Sequence, residues 1–69
     1  MTEKRLAWKV VTIGFNGLTI EGHYAIDGGM VIVRYGGLEK SAQVGGSSPE
    51  TTAKMLLREL ANEGARDRQ

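Results

Sequence analysis

Three Gly-Gly pairs divide the middle of this 69-residue chain at nearly even intervals. They are Gly28-Gly29, Gly36-Gly37 and Gly45-Gly46. Glycine reaches positive φ without a Cβ clash, so a glycine pair suits the two-residue turn of a β-hairpin. The spacing leaves strands of about 6–8 residues between the turns. Because no connection before residue 47 has room for a helical crossover, an antiparallel sheet is predicted.

Four segments have the composition or the alternation of β-strands. Residues 18–27 alternate over ten positions, which indicates a strand with one buried face. The other predicted strands, marked by β-branched and aromatic residues or by a preceding glycine turn, are 8–13, 30–35 and 39–44. Asn16-Gly17, between the first two strands, is a strong signal for a hairpin turn.

A single helix is predicted after the last glycine pair, over residues 47–63. Its apolar residues recur at helical spacing: Ala53, Leu56, Leu57, Leu60 and Ala61. Two start signals overlap, because Ser47 and Glu50 form a capping box and Ser48 precedes a proline suited to the first helical position. Gly64 is predicted to end the helix.

The predicted fold is α+β, a four-stranded antiparallel β-meander with one C-terminal α-helix packed on one face (β-β-β-β-α). A two-residue turn at Gly28-Gly29 pairs Asp27 with Met30 and fixes which side chains share a side. The side expected to meet the leucine stripe holds Val11, Ile13, Phe15, Gly22, Tyr24, Ile26, Val31, Val33 and Tyr35. Lys9 and Lys40 are expected at its rim.

The composition limits what such a chain can do. Sixty-nine residues form one domain, 1–69, with loose ends expected at 1–6 and 65–69. The chain has no cysteine and one histidine, which argues against disulfides and a structural zinc site. A formal net charge of +1 is too balanced for a strongly basic nucleic-acid module. No apolar run approaches about 18 residues, so we expect no membrane span and a cytoplasmic location.

The predicted helix covers one side of the sheet and leaves the other, which we call the open face, exposed. Its candidate binding residues are Trp8, Val10, Glu21, His23, Ala25, Met30, Ile32 and Arg34. The register of the first strand depends on its turn. A four-residue turn would align one row across the sheet: Trp8, His23, Arg34 and Ser41. A two-residue turn would instead put Trp8 opposite Ala25.

The open face has the composition of a protein interface, since tryptophan, methionine and arginine are enriched at interface cores. A core built from so short a chain is small, so association is the available means of adding stability. We therefore predict a non-enzymatic module that uses the open face to form a homodimer or to bind a partner protein. The alternative is weak binding of single-stranded nucleic acid, with base stacking on Trp8 beside the charge of Arg34.

Catalysis and cofactor binding have little support in the sequence. Histidine is a common general base, but the chain offers His23 neither a cysteine nor a serine in a nucleophile elbow. No catalytic residue, cofactor or metal ligand is predicted. The helix start offers a weak candidate anion site at Gly46, Ser47 and Ser48, because free N–H groups and the helix dipole attract anions. The lysine of a phosphate-binding loop is missing there, so a turn with a helix cap is the simpler interpretation.

Overall fold

The computed structural model describes the backbone of residues 6–46 and 48–67, and their side chains up to residue 64. It contains β1 (Lys9–Phe15), β2 (Leu18–Asp27), β3 (Met30–Tyr35), β4 (Leu38–Gln43) and α1 (Pro49–Asp67). The strands form one sheet in sequence order, and all neighbours are antiparallel. The predicted α+β meander with a C-terminal helix is confirmed. The ends at 1–5 and 68–69, and Ser47, lie outside the described residues.

Three two-residue turns join the strands. Their φ angles are positive at both positions: 52° and 78° at Asn16-Gly17, 56° and 90° at Gly28-Gly29, and 55° and 83° at Gly36-Gly37. Both positions of a type I′ turn require such angles, and its twist matches that of the flanking strands. Each turn therefore pairs the two residues that flank it, including the predicted pair of Asp27 and Met30.

The hydrophobic core lies between the sheet and α1. Its buried members are Val11, Tyr24, Val31, Val33, Ala53, Leu56, Leu57 and Leu60. The side of the sheet predicted to meet the helix is correct, with one exception. Ile26 lies on that side but is 45% exposed. The pairing of β1 with β2 begins at Lys9 and Tyr24, so no strand flanks Ile26 on the β1 side.

Ser48 caps the start of α1. Its Oγ accepts a hydrogen bond from the Thr51 backbone N–H at 3.2 Å, and its carbonyl accepts one from the Thr52 N–H at 3.1 Å. Pro49 is the first helical residue, where its missing N–H leaves no intrahelical bond unmade. Of the two predicted starts, the one at Ser48 is correct.

Removing this cap is expected to destabilise the protein. Ser48→Ala should lower the free energy of unfolding by about 1 kcal/mol, because the Thr51 N–H loses its acceptor. Ser48→Asp retains an acceptor and should keep the stability. Urea melts followed by circular dichroism measure both, with Ser41→Ala in β4 as the control. Equal stability of Ser48→Ala and the wild type would contradict the cap.

The end of α1 differs from the prediction, since the helix continues past Gly64 to Asp67. A Cβ placed on Gly64 would lie 3.9 Å from both Leu38 Cδ1 and Tyr35 Cε2. These are ordinary van der Waals distances, so Gly64 lies beside the corner of the sheet without a tight contact. The helix continues through it in spite of the low helix propensity of glycine.

Lys40 joins β4 to α1 at the rim predicted for it. Its Nζ lies 3.2 Å from Glu59 Oε1 and is also hydrogen-bonded to the Glu63 carboxylate. The hydrogen bonds to Glu63 and Glu59 raise the pKa of the Lys40 ammonium above its usual value. β4 itself begins at Leu38, one residue earlier than predicted, because the two-residue turn pairs Leu38 with Tyr35.

Candidate functional site

The open face is the side of the sheet opposite α1. The register and the alternation of the strands place every predicted candidate from β1, β2 and β3 on it. Its strand residues are Val10, Thr12, Thr19, Glu21, His23, Ala25, Asp27, Met30, Ile32, Arg34, Glu39, Ser41 and Gln43. Within the described part of the chain, no helix or strand packs on this face.

Three side chains linked by two contacts, those of Trp8, Arg34 and Glu39, cross the open face. Arg34 Cζ lies 4.6 Å from the centroid of the Trp8 ring, a cation–π distance. Arg34 Nε also donates a hydrogen bond to Glu39 Oε1 at 2.7 Å. Both charged side chains are more than half exposed, so each contact contributes about 1 kcal/mol or less. These two contacts of Arg34 therefore orient the Trp8 ring more than they stabilise the fold.

The register of β1 decides between the two predicted arrangements of Trp8. Asn16-Gly17 is a two-residue turn, and Val10 pairs with His23. Continuing this register past the first residue of β1 puts Trp8 opposite Ala25. The alternative row across the sheet is wrong, because the four-residue turn that it needed does not form. The observed row is Val10, His23, Arg34 and Glu39.

Ala25 is a correction to the predicted contact residues. It lies on the open face but is only 1% exposed. Ala25 is therefore not itself accessible to a partner. The accessible or half-buried apolar residues of the face are Trp8, Val10, Met30 and Ile32.

Glu39 belongs to the site and was missed by the sequence analysis. The signal for it was the glycine pair at 36–37, since a two-residue turn there puts Glu39 directly opposite Arg34. Its carboxylate adds to the acidic character of the face. Among the described strand residues of the face, the carboxylates of Glu21, Asp27 and Glu39 and the guanidinium of Arg34 sum to a formal charge of −2.

An open groove of about 380 Å³ lies at one end of the face, beside the turn between β3 and β4. The last pair between β2 and β3 is His23 with Arg34, and the groove forms because β2 extends beyond this pair. His23 is exposed in this groove, and no hydrogen bond joins it to another described side chain. A general base needs an orienting partner, so the groove shows no catalytic arrangement around His23.

The candidate anion site at the helix start is weaker than predicted. Gly46 and Ser48 are exposed, whereas Ser47 lies outside the described residues. The Ser48 hydroxyl already accepts the Thr51 N–H and lies 2.9 Å from Thr51 Oγ1. One of the backbone donors that an anion would use is therefore occupied by the cap.

The described residues show no other constellation that points to a ligand. No three of their His, Cys, Asp or Glu side chains converge as metal ligands would. Each of their buried side-chain nitrogen and oxygen atoms has a hydrogen-bond partner. No helix in the described part of the chain combines the length and the apolar character that crossing a membrane requires. Comparison with protein-family models, with curated proteins and with solved structures found no match for this chain.

Proposed function

We propose that the protein is a non-enzymatic interaction module that docks another protein on its open face. The observation that carries this proposal is the apolar cluster of Trp8, Val10, Met30 and Ile32 on a sheet side that no described helix or strand covers. Val10 is 57% exposed, and Trp8, Met30 and Ile32 are half-buried. Clustered apolar side chains of this kind, with an arginine and a tryptophan among them, are typical of interface cores.

The charge of the open face favours a partner with a basic rim around an apolar centre. The face has a formal charge of −2, so a complementary surface would be positive. A second copy docking through the same face would bring two acidic surfaces together. A different protein therefore fits the open face better than a face-to-face homodimer does.

The same charges disfavour single-stranded nucleic acid. Phosphate binding needs an excess of positive charge, and Arg34, the arginine among the described strand residues of the face, is already bonded to Glu39. One side of the Trp8 ring is also occupied by the Arg34 guanidinium, which leaves less of the indole for base stacking.

Photo-crosslinking followed by binding measurements tests the proposal. A photoreactive amino acid at Ile32 on the open face should trap a partner, and the same group at Asn62 on the exposed side of α1 should not.

The trapped protein is then purified and titrated against the full chain. Trp8→Ala should weaken binding by about tenfold or more, as expected for a central aromatic contact. Met55→Ala, which truncates an exposed apolar residue on α1, should leave binding unchanged.

Two outcomes would overturn this proposal. Equal effects of Trp8→Ala and Met55→Ala on the affinity would show that the open face is not the docking surface. Binding of a 15-residue oligothymidine at low salt, lost in Trp8→Ala, would instead assign the face to single-stranded nucleic acid. Glu21→Lys distinguishes the two ligands. It should weaken the binding of a basic partner protein and strengthen the binding of an oligonucleotide.

A further inference from the structure

The two edge strands of the sheet, β1 and β4, differ in how they are protected against pairing with a further strand. β4 (LEKSAQ) carries Glu39 and Lys40 within the strand, and Lys40 is tied to α1. β1 (KVVTIGF) has no proline and only one charge, at Lys9. Its pairing with β2 is continuous for the whole strand and contains no bulge. A regular edge strand with few charges and without a bulge or proline is a template for another strand.

The turn at Asn16-Gly17 determines which backbone groups of β1 face outward. In a two-residue hairpin, the pair next to the turn exchanges both hydrogen bonds, and every second pair does the same. Phe15 and Leu18 are that first pair. The N–H and C=O groups of Val10, Thr12 and Gly14 therefore point away from β2, toward the open edge.

We propose that a second copy of this chain adds its β1 to this edge, antiparallel and with a two-fold axis at Thr12. Thr12 then faces Thr12 of the second copy, and Val10 faces Gly14. Each of the three pairs uses the outward backbone groups of both strands. The side chains fit as well, because Val10 is exposed and a Cβ added to Gly14 would meet nothing within 4 Å.

The helix side of the edge has room for the added strand. An open groove of about 590 Å³ runs between β1 and α1, lined by Ile13, Lys54, Met55 and Arg58 among others. Met55 is 58% exposed at this groove. A two-fold axis perpendicular to the sheet keeps both helices on the same side. The grooves of the two copies then face each other, and Met55 and Ile13 gain apolar neighbours.

The dimer joins two four-stranded sheets into one eight-stranded sheet. Both open faces lie on the same side of it, so a partner would meet two docking surfaces side by side. The self-association uses the outward backbone groups of β1 and does not depend on the proposed function, although Val10 and Thr12 also belong to the open face. A 69-residue chain with a small core also gains stability from such association.

Sedimentation equilibrium of the full chain tests this dimer. The wild type should be a concentration-dependent dimer. Thr12→Lys puts two like charges opposite each other at the axis and should raise the dissociation constant by about tenfold or more. Thr12→Glu should do the same, and an equimolar mixture of the two variants should recover a dimer. Ser41→Lys, the corresponding change on the outward edge of β4, should leave the dimer intact.

A cysteine crosslink provides a second measurement with a milder substitution. The chain has no cysteine, so Thr12→Cys carries a single thiol at the axis. Opposed residues in such a pair have Cα atoms about 5.5 Å apart, within reach of a disulfide. Thr12→Cys should therefore oxidise to a covalent dimer much faster than Ser41→Cys.

Three results would overturn the β1-edge dimer. They are a monomeric wild type at all concentrations, equal crosslinking of Thr12→Cys and Ser41→Cys, and a mixture of the charge variants that stays monomeric. Trp8→Ala separates this inference from the proposed function. It should leave the β1-edge dimer unchanged, whereas a dimer lost in Trp8→Ala would be formed through the open face.

Discussion

Replacing Leu57 with alanine is expected to lower the free energy of unfolding by about 2–5 kcal/mol. Leu57 is fully buried in the middle of α1 and belongs to the core between the helix and the sheet. The substitution removes buried methyl groups and leaves a cavity that the surrounding side chains fill only partly. The core of a domain of this size rarely supplies more than about 3–5 kcal/mol, so the variant should be largely unfolded.

The matched control for this prediction is Leu18→Ala. It removes the same atoms from a leucine that is 66% exposed at the start of β2. Its effect should stay within about 0.5 kcal/mol, as for most surface substitutions. Urea melts followed by circular dichroism at 222 nm compare the two variants directly. Equal losses for Leu57→Ala and Leu18→Ala would contradict the docking of α1 on the sheet.

Gly22→Ala is expected to cost about 1–3 kcal/mol through overpacking. Gly22 lies in β2 on the helix side, where an added Cβ would be 2.8 Å from Leu57 Cδ1 and 3.0 Å from the Arg34 carbonyl oxygen. The Leu57 side chain is fully buried and the carbonyl belongs to the backbone, so neither contact relaxes easily. Glycine at this position is what allows α1 to approach the sheet so closely.

Gly14→Ala is the control, because Gly14 lies in β1 with nothing within 4 Å of an added Cβ. It should be neutral or stabilising, since alanine reduces the conformational freedom of the unfolded chain. A double-mutant cycle with Leu57→Val tests the cause of the Gly22→Ala effect. Valine lacks the Cδ1 atom, so Gly22→Ala should cost less in that background. An unchanged cost would mean that the Arg34 carbonyl contact, not Leu57, is responsible.

The turns show why most of the fold could be predicted from the sequence. Asn16-Gly17 and the glycine pairs at 28–29 and 36–37 adopt positive φ because little else in the chain does so without strain. A two-residue turn then fixes the register of both flanking strands, and the alternation of side chains assigns each residue to a face. The cap at Ser48 is likewise a local signal.

The candidate site was less predictable, since it depends on contacts between distant segments. The sequence placed Ala25 on the open face but did not show that it would be buried there. It left two registers for Trp8, and Glu39 was not recognised as the partner of Arg34. Each of these depends on which residues of different strands stand opposite one another, a property that only the assembled sheet displays.

The sequence by itself determined the strand order, the positions of the turns and the side of the sheet that packs on the helix. Turn geometry and side-chain alternation are local, so they act before any long-range contact exists. Only the tertiary structure decided that α1 continues through Gly64, that Gly22 admits Leu57, and that β1 is left as the less protected edge. These features depend on how closely two elements approach, and close packing between distant residues is not encoded in any short segment.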